Sequence, residues 1–266
     1  MIRRFATFLG AAVVVATCVG GPAGGSLSSA VAEVAVYAAA SLTNPLESVR
    51  TAYGSSHPGI RVTLALDSSA ALRTQIEQGA PADVFLSADL GNPQKLVDGG
   101  LAVGPVTRFA GNHLVIVVPK ANPGSIATPA DLARPGVRII AAGEQVPITA
   151  YATQLIGKLG ALSGYPADFA SAYEANVVSR EDNVRAIVAK LELGEADAGI
   201  AYVTDALGSK ELATVALPPE TAVSATYSGV VVAASAHSAE GTAFLSWLAG
   251  PEGQAILGDF GFAAPE

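Results

Sequence analysis

Four places in the sequence put hydrogen-bond donors where a strand gives way to a helix: Ser41, the pair Ser68-Ser69, Ile148 behind Pro147, and Val184 behind Asn183. The first N–H groups of a helix have no partner inside it, and its aligned peptide dipoles leave that end partly positive. Several such ends aimed at one point would hold an anion without any cationic side chain. Serine hydroxyls at two of the junctions add donors of their own. Taken singly, each junction is a plain helix start with its serine as a cap. The chemistry lies in their repetition.

The elements behind these junctions follow from local pattern. Val34, Val36 and Tyr37 are strand formers, and the alanines 38–40 let backbones approach closely. Ser41, Thr43 and Asn44 can each cap a helix, Pro45 fits a first-turn position, and Glu47 stands three after Asn44 as in a capping box. Leu42, Leu46, Val49 and Tyr53 then recur at helical spacing. Residues 60–66 alternate as a strand does, Asp67-Ser68-Ser69 follows, and Leu72 and Ile76 sit one turn apart. Residues 83–86 read as the next buried strand. Strand and helix in alternation predict a parallel α/β sheet. Further strands are predicted at 114–118, 137–142, 175–178, 199–203, 213–217 and 230–234. Helices are predicted from Pro129, Pro147 and Val184 and at the C-terminus, with a polar turn over 179–183.

Of the 266 residues, 50% are apolar and 14% charged, enough for a sizeable core in one large domain or two lobes. The formal net charge of -8 argues against nucleic acid and against a polybasic membrane surface. A small anion remains compatible, because local N–H groups outweigh a diffuse negative field. Arg3 and Arg4 precede an apolar run over 5–19 that is too short to span a bilayer, and Ala30-Val31-Ala32 fits a signal-peptide cleavage site. Export with cleavage after Ala32 is therefore expected. The alternative is a lipid anchor on Cys18, the only cysteine, behind Val15-Ala16-Thr17. Cleavage after Ala32 leaves no cysteine for a disulfide or a metal site. His57, His113 and His237 have no metal-ligand spacing, and no hydrolase elbow, zinc-protease helix or phosphate loop is present. Ser41 has no neighbouring base, so no catalytic residue and no cofactor is expected.

Four segments resemble the periplasmic molybdate-binding proteins of ABC transporters: Ala38-Ala39-Ala40-Ser41-Leu42-Thr43-Asn44, the run from Gln75 through Gly79-Ala80-Pro81-Ala82-Asp83 to Phe85, Gly194-Glu195-Ala196-Asp197-Ala198-Gly199-Ile200-Ala201-Tyr202, and Gly250-Pro251-Glu252-Gly253-Gln254. The resemblance covers essentially everything after Glu33. It implies an α/β, two-lobe periplasmic-binding-protein (Venus flytrap, type II) fold with a mixed sheet in each lobe. Residues 1–32 would be the signal peptide, 33–111 and 205–266 the first lobe, and 112–204 the second. It also implies the ligand, molybdate with tungstate beside it, and a partner, the ABC permease in the membrane. A monomer is expected.

By the same resemblance, Ser41 and Ser69 would each give the anion a hydroxyl and an N–H. Ile148 and Val184 would give N–H groups, and Tyr202 its phenol. Ser68 replaces Ser69 if the register slips by one, and Tyr202 is otherwise a core tyrosine whose hydroxyl finds a backbone carbonyl. A donor-only site suits molybdate and tungstate, which carry no proton at neutral pH, whereas monoprotonated phosphate calls for an acceptor. Asp67 is the nearest carboxylate in sequence and reads as a turn or capping residue. Sulfate passes the same donor test, so a sulfate or other oxyanion carrier is the alternative. A secreted hydrolase of small anions would differ by turning its ligand over.

Overall fold

In the first strand, β1 (Ala32–Ala39), Val34, Val36 and Ala38 point inward and are fully buried. The computed structural model describes residues 31–265, so Arg3, Arg4, the apolar run and Cys18 lie outside the described residues. The elements follow in the order α1 (Thr43–Ser56), β2 (Ile60–Asp67), α2 (Ser69–Glu77), β3 (Val84–Ser87), α3 (Gly91–Asp98), β4 (Ala102–Pro119), β5 (Ile139–Ala142) and α4 (Pro147–Gly160). Then come α5 (Phe169–Ala175), β6 (Val177–Glu181), α6 (Val184–Glu192), β7 (Ala198–Tyr202), α7 (Val203–Leu207), β8 (Leu212–Val215), β9 (Ser224–Val232), α8 (Ser238–Ala249) and α9 (Pro251–Asp259).

The strands form one hydrogen-bonded path, β2-β1-β3-β9-β4-β7-β5-β6, with β8 also on β4. Parallel pairs lie toward both ends, β1 with β2 and β3, and β5 with β6 and β7. Antiparallel pairs join them through β9 and β4. Strand β4 is the seam. As far as His113 it pairs with β9, and from Leu114 it pairs with β7 and β8. Two mixed halves therefore meet where β4 changes partner. Asn112, just before that change, donates from Nδ2 to Thr204 Oγ1 at 2.9 Å and ties the seam to α7.

Several local expectations are corrected. No side chain caps α1 among the described residues. The chain enters it through a 3-10 turn at Ala40–Leu42, closed by the Thr43 hydroxyl on the Ala40 carbonyl at 2.6 Å, and Glu47 bonds Arg50 instead of returning to Asn44. The segment at 129–133 is a 3-10 helix. The expected strand at 175–178 is the end of α5 followed by β6, which runs on through the predicted polar turn to Glu181. As the last strand of the path, β6 has a free edge and tolerates Ser179 and Arg180. Strands β4 and β9 both begin well before their predicted starts.

A large apolar cluster fills the space between sheet and helices on both sides of the seam, with a smaller one under α2 and α3 around Leu72, Phe85 and Leu96. Near the seam the core is aromatic: Tyr227 lies edge-on to Phe109, Tyr202 and Phe262 with centroids 6.2, 5.7 and 5.3 Å away. Helix α6 sits close to the sheet because position 199 is glycine. A Cβ there would stand 2.9 Å from Ile187 Cγ2 and 3.0 Å from the Ile140 carbonyl oxygen.

Candidate functional site

The donor-bearing junctions converge. Ser41, Ser68, Ser69, Ile148, Val184 and Tyr202 line one cavity, with Ala39, Ala40, Ala88, Val146, Pro147 and Asn183 completing its wall. Its empty space is about 230 Å³ including the part open to solvent. Among the described residues, no carboxylate and no cationic side chain is in that wall.

Each donor is aimed by its local structure. Ser68 has extended backbone and is the N-cap of α2, its Oγ accepting the Ala71 N–H at 3.3 Å. Ser69 is then the first helical residue, with a free-ended N–H. Its hydroxyl oxygen accepts the Ala88 N–H at 3.1 Å, which leaves the hydroxyl proton to donate, and the residue is 1% exposed. Ser41 is arranged in the same way, since its Oγ accepts from the Tyr227 hydroxyl at 2.8 Å. Pro147 opens α4 and Ile148 follows as its second residue, with the Thr149 hydroxyl clamping the preceding loop through the Gly143 carbonyl at 2.7 Å. Asn183 caps α6 by accepting the Ala186 N–H at 3.1 Å and so exposes the Val184 N–H at the helix start.

Tyr202 ends β7 and is 1% exposed. Its hydroxyl has no hydrogen-bond partner among the described residues, although a buried phenol almost always finds one. Tyr202 is a core tyrosine packed against Tyr227, and the carbonyl partner expected for its hydroxyl in that role is not found among the described residues. Burial pushes the phenols of Tyr202 and Tyr227 well above their ordinary value, so both keep the proton they have to donate. Asp67 does not line the cavity: its Oδ1 accepts the Ser68 N–H at 2.7 Å. Tyr227, which orients Ser41, escapes sequence reading because β9 was expected to begin at 230. The alternation Ala225, Tyr227, Gly229, Val231 from the start of β9 is the signal that finds it.

A pocket of hydroxyls and helix N-termini, with small walls and no ionised side chain, is chemically suited to holding a small anion and offers no nucleophile–base pair. The sequence signature of the bacterial extracellular solute-binding proteins matches residues 34–263. The chain belongs to that family. Two solute-binding proteins similar to it are the molybdate-binding proteins ModA of Mycobacterium tuberculosis and of Escherichia coli. The first is 34% identical over 233 residues, 87% of this chain and 85% of that one. The second is 34% identical over 259 residues, 90% and 95% respectively. Among solved structures, the periplasmic molybdate-binding protein of Azotobacter vinelandii superposes with a TM-score of 0.74 at 27% identity, covering 88% of this chain and all of its own. The mixed α/β sheet described above is that of the periplasmic-binding-protein fold. Among the described residues of this solute-binding protein, no helix is long and apolar enough to cross a membrane.

One carboxyl beneath the site carries a pH signature. Asp205 in α7 accepts the Tyr202 N–H at 3.3 Å, its side chain is 1% exposed, and Arg185 lies 4.0 Å away. Burial pushes its pKa up to about 7, against the opposing pull of the Tyr202 N–H and Arg185. The unfolded chain would release this proton near 3.8, so the folded state holds more protons between the two values and loses stability as pH rises through that window. Asp205→Asn keeps an acceptor for the Tyr202 N–H and cannot ionise. It should be more stable than wild type at pH 8 by on the order of 1–3 kcal/mol, with the difference gone near pH 4. Urea melts at both pH values check this, and a variant less stable than wild type throughout would refute it.

Proposed function

We propose that the protein captures molybdate, and tungstate with it, outside the cytoplasm and hands it to an ABC permease. The observation that carries this reading is the donor-only cavity, with the orphan Tyr202 hydroxyl buried in its wall. A doubly charged oxyanion would accept hydroxyl protons from Ser41, Ser69 and Tyr202 and N–H groups from Ser41, Ser69, Ile148 and Val184. Ser68, committed to capping α2, is the weaker candidate of the serine pair. Charge would be balanced by helix ends rather than by lysine or arginine. The Tyr202 hydroxyl would gain the partner it lacks.

Residues 33–111 and 205–266 would move as one lobe and 112–204 as the other. The change of partner along β4 and the Asn112–Thr204 bond support a hinge there. Donors from both lobes would touch the anion only when the lobes close, so the ligand would favour the closed state by its extra bonds there. The chain would act as a monomer, released by cleavage after Ala32 or, as the alternative, held at the membrane by a lipid on Cys18.

Titration calorimetry with molybdate, tungstate, sulfate and phosphate tests the reading. Molybdate and tungstate should bind at least roughly tenfold more tightly than phosphate, a difference of about 1.4 kcal/mol. Phosphate binding as tight or tighter between pH 6 and 8 would overturn the donor-only site. Sulfate ahead of molybdate would move the protein to the sulfate carriers.

A further inference from the structure

The two outermost strands of the path, β2 and β6, end at opposite sides of one cleft. Asp67 is the last residue of β2, and Asn183 stands two residues beyond β6. Their side chains meet: Asn183 Nδ2 donates to Asp67 Oδ1 at 3.3 Å, across 116 residues of sequence. Neither group is occupied with this contact alone. The same Asp67 oxygen accepts the N–H of Ser68, the cap of α2, at 2.7 Å. The other end of the Asn183 amide accepts the Ala186 N–H and caps α6. One amide and one carboxylate thus connect the start of α2 to the start of α6. These are the two helix ends that present Ser69 and Val184 to the cavity. Asn183 is in the cavity wall, while Asp67 faces the outer cleft beside Gly143, Gln145 and Asp182. The contact lies just outside the proposed anion position and bridges its two sides.

We infer that the Asn183–Asp67 hydrogen bond is a clasp between the lobes, a positioning pair that holds the α2 and α6 N-termini at closed spacing and slows ligand release. It deepens the binding reading above and rests on the same hinge. The bond spans the two lobes, so opening breaks it, whereas the caps on either side stay within one lobe and survive. Its contribution belongs to the closed state and appears in the release rate rather than the capture rate.

The variants follow from this geometry. Asn183→Ser keeps a good N-cap for α6 but is too short to reach Asp67. Asp67→Ala removes the acceptor from the other side, and Asp67→Asn restores a neutral one. In stopped-flow release of molybdate, Asn183→Ser and Asp67→Ala should each release roughly three- to tenfold faster than wild type with capture rates unchanged. The double variant should be no faster than the faster single one, and Asp67→Asn should lie close to wild type. Additive effects, or an unchanged release rate in either single variant, overturn the clasp. X-ray scattering of the ligand-free protein keeps the test independent of the cargo. If wild type does not bind molybdate, the functional reading falls, and the clasp is judged by the radius of gyration alone. A larger value for Asn183→Ser than for wild type supports it, and an equal value overturns it.

Discussion

Val184→Pro should abolish most molybdate binding, by roughly a hundredfold or more, in a protein that remains folded. Val184 is the first residue of α6, where proline is tolerated because the missing N–H has no partner inside the helix. Asn183 before it is already extended, with φ −157° and ψ 168°, as a residue ahead of proline prefers. The Asn183 cap falls on Ala186 and is untouched. What changes is the group presented to the cavity: an N–H becomes a ring methylene. A hydrogen bond to a charged group contributes about 1.5–3 kcal/mol, and the added carbon intrudes on a small space. Val184→Ala is the counterpart. It keeps the N–H and trims a side chain that is 4% exposed, so it should cost stability and leave affinity within a few-fold. Calorimetric titration and a thermal melt on each variant separate the two. A folded proline variant that binds as wild type does would remove the α6 N-terminus from the site.

This prediction is possible because the junctions were legible in the sequence. Pro147 and Asn183 announce helix starts by local chemistry, and the hydroxyls of Ser68 and Ser69 stand where β2 runs into α2. What composition and spacing could not supply was convergence. Nothing local says that Ser41 and Ile148 face each other, since that depends on how β4 passes from one set of partners to the other. The resemblance to molybdate-binding proteins supplied it instead.

The parts that escaped reading have physical causes. The part of β4 that pairs with β9 contains Gly104, Pro105, Gly111 and two register shifts, so it shows no clean alternation. Helix α5 is seven residues long and follows Pro166, too short for a periodic pattern to emerge. Ser41 was expected to cap its own helix among other candidates. In the structure the 3-10 turn closes through Thr43 instead, and Ser41 is left to take a hydrogen bond from Tyr227 on a strand 186 residues away. A partner that distant leaves no trace in local spacing. The same holds for Asp67, where the adjacent Ser68 N–H was foreseeable as a turn contact and the Asn183 amide was not.

Tyr202→Phe should weaken molybdate binding roughly ten- to hundredfold while leaving the ligand-free protein as stable as wild type or more so. The ring's packing is retained, including its edge-on contact with Tyr227 at 5.7 Å. The hydroxyl that is removed has no partner among the described residues. An unsatisfied buried polar group costs about 1–3 kcal/mol, so its deletion cannot lower the melting temperature through a lost bond. With the anion bound, the same hydroxyl would donate to a charged acceptor contributing about 1.5–3 kcal/mol, and that is the loss expected in the titration. Most of it should appear as faster release, because the bond forms only when the lobes are closed. Tyr53 provides the control. Its hydroxyl is likewise buried and unpartnered, yet it packs against His57, Phe244 and Trp247 and has no place in the cavity wall. Tyr53→Phe should therefore match Tyr202→Phe in the ligand-free melt and wild type in the titration. An unchanged affinity together with a lowered melting temperature for Tyr202→Phe would make Tyr202 a core residue, and the second lobe's side-chain contribution to the site would have to be sought elsewhere.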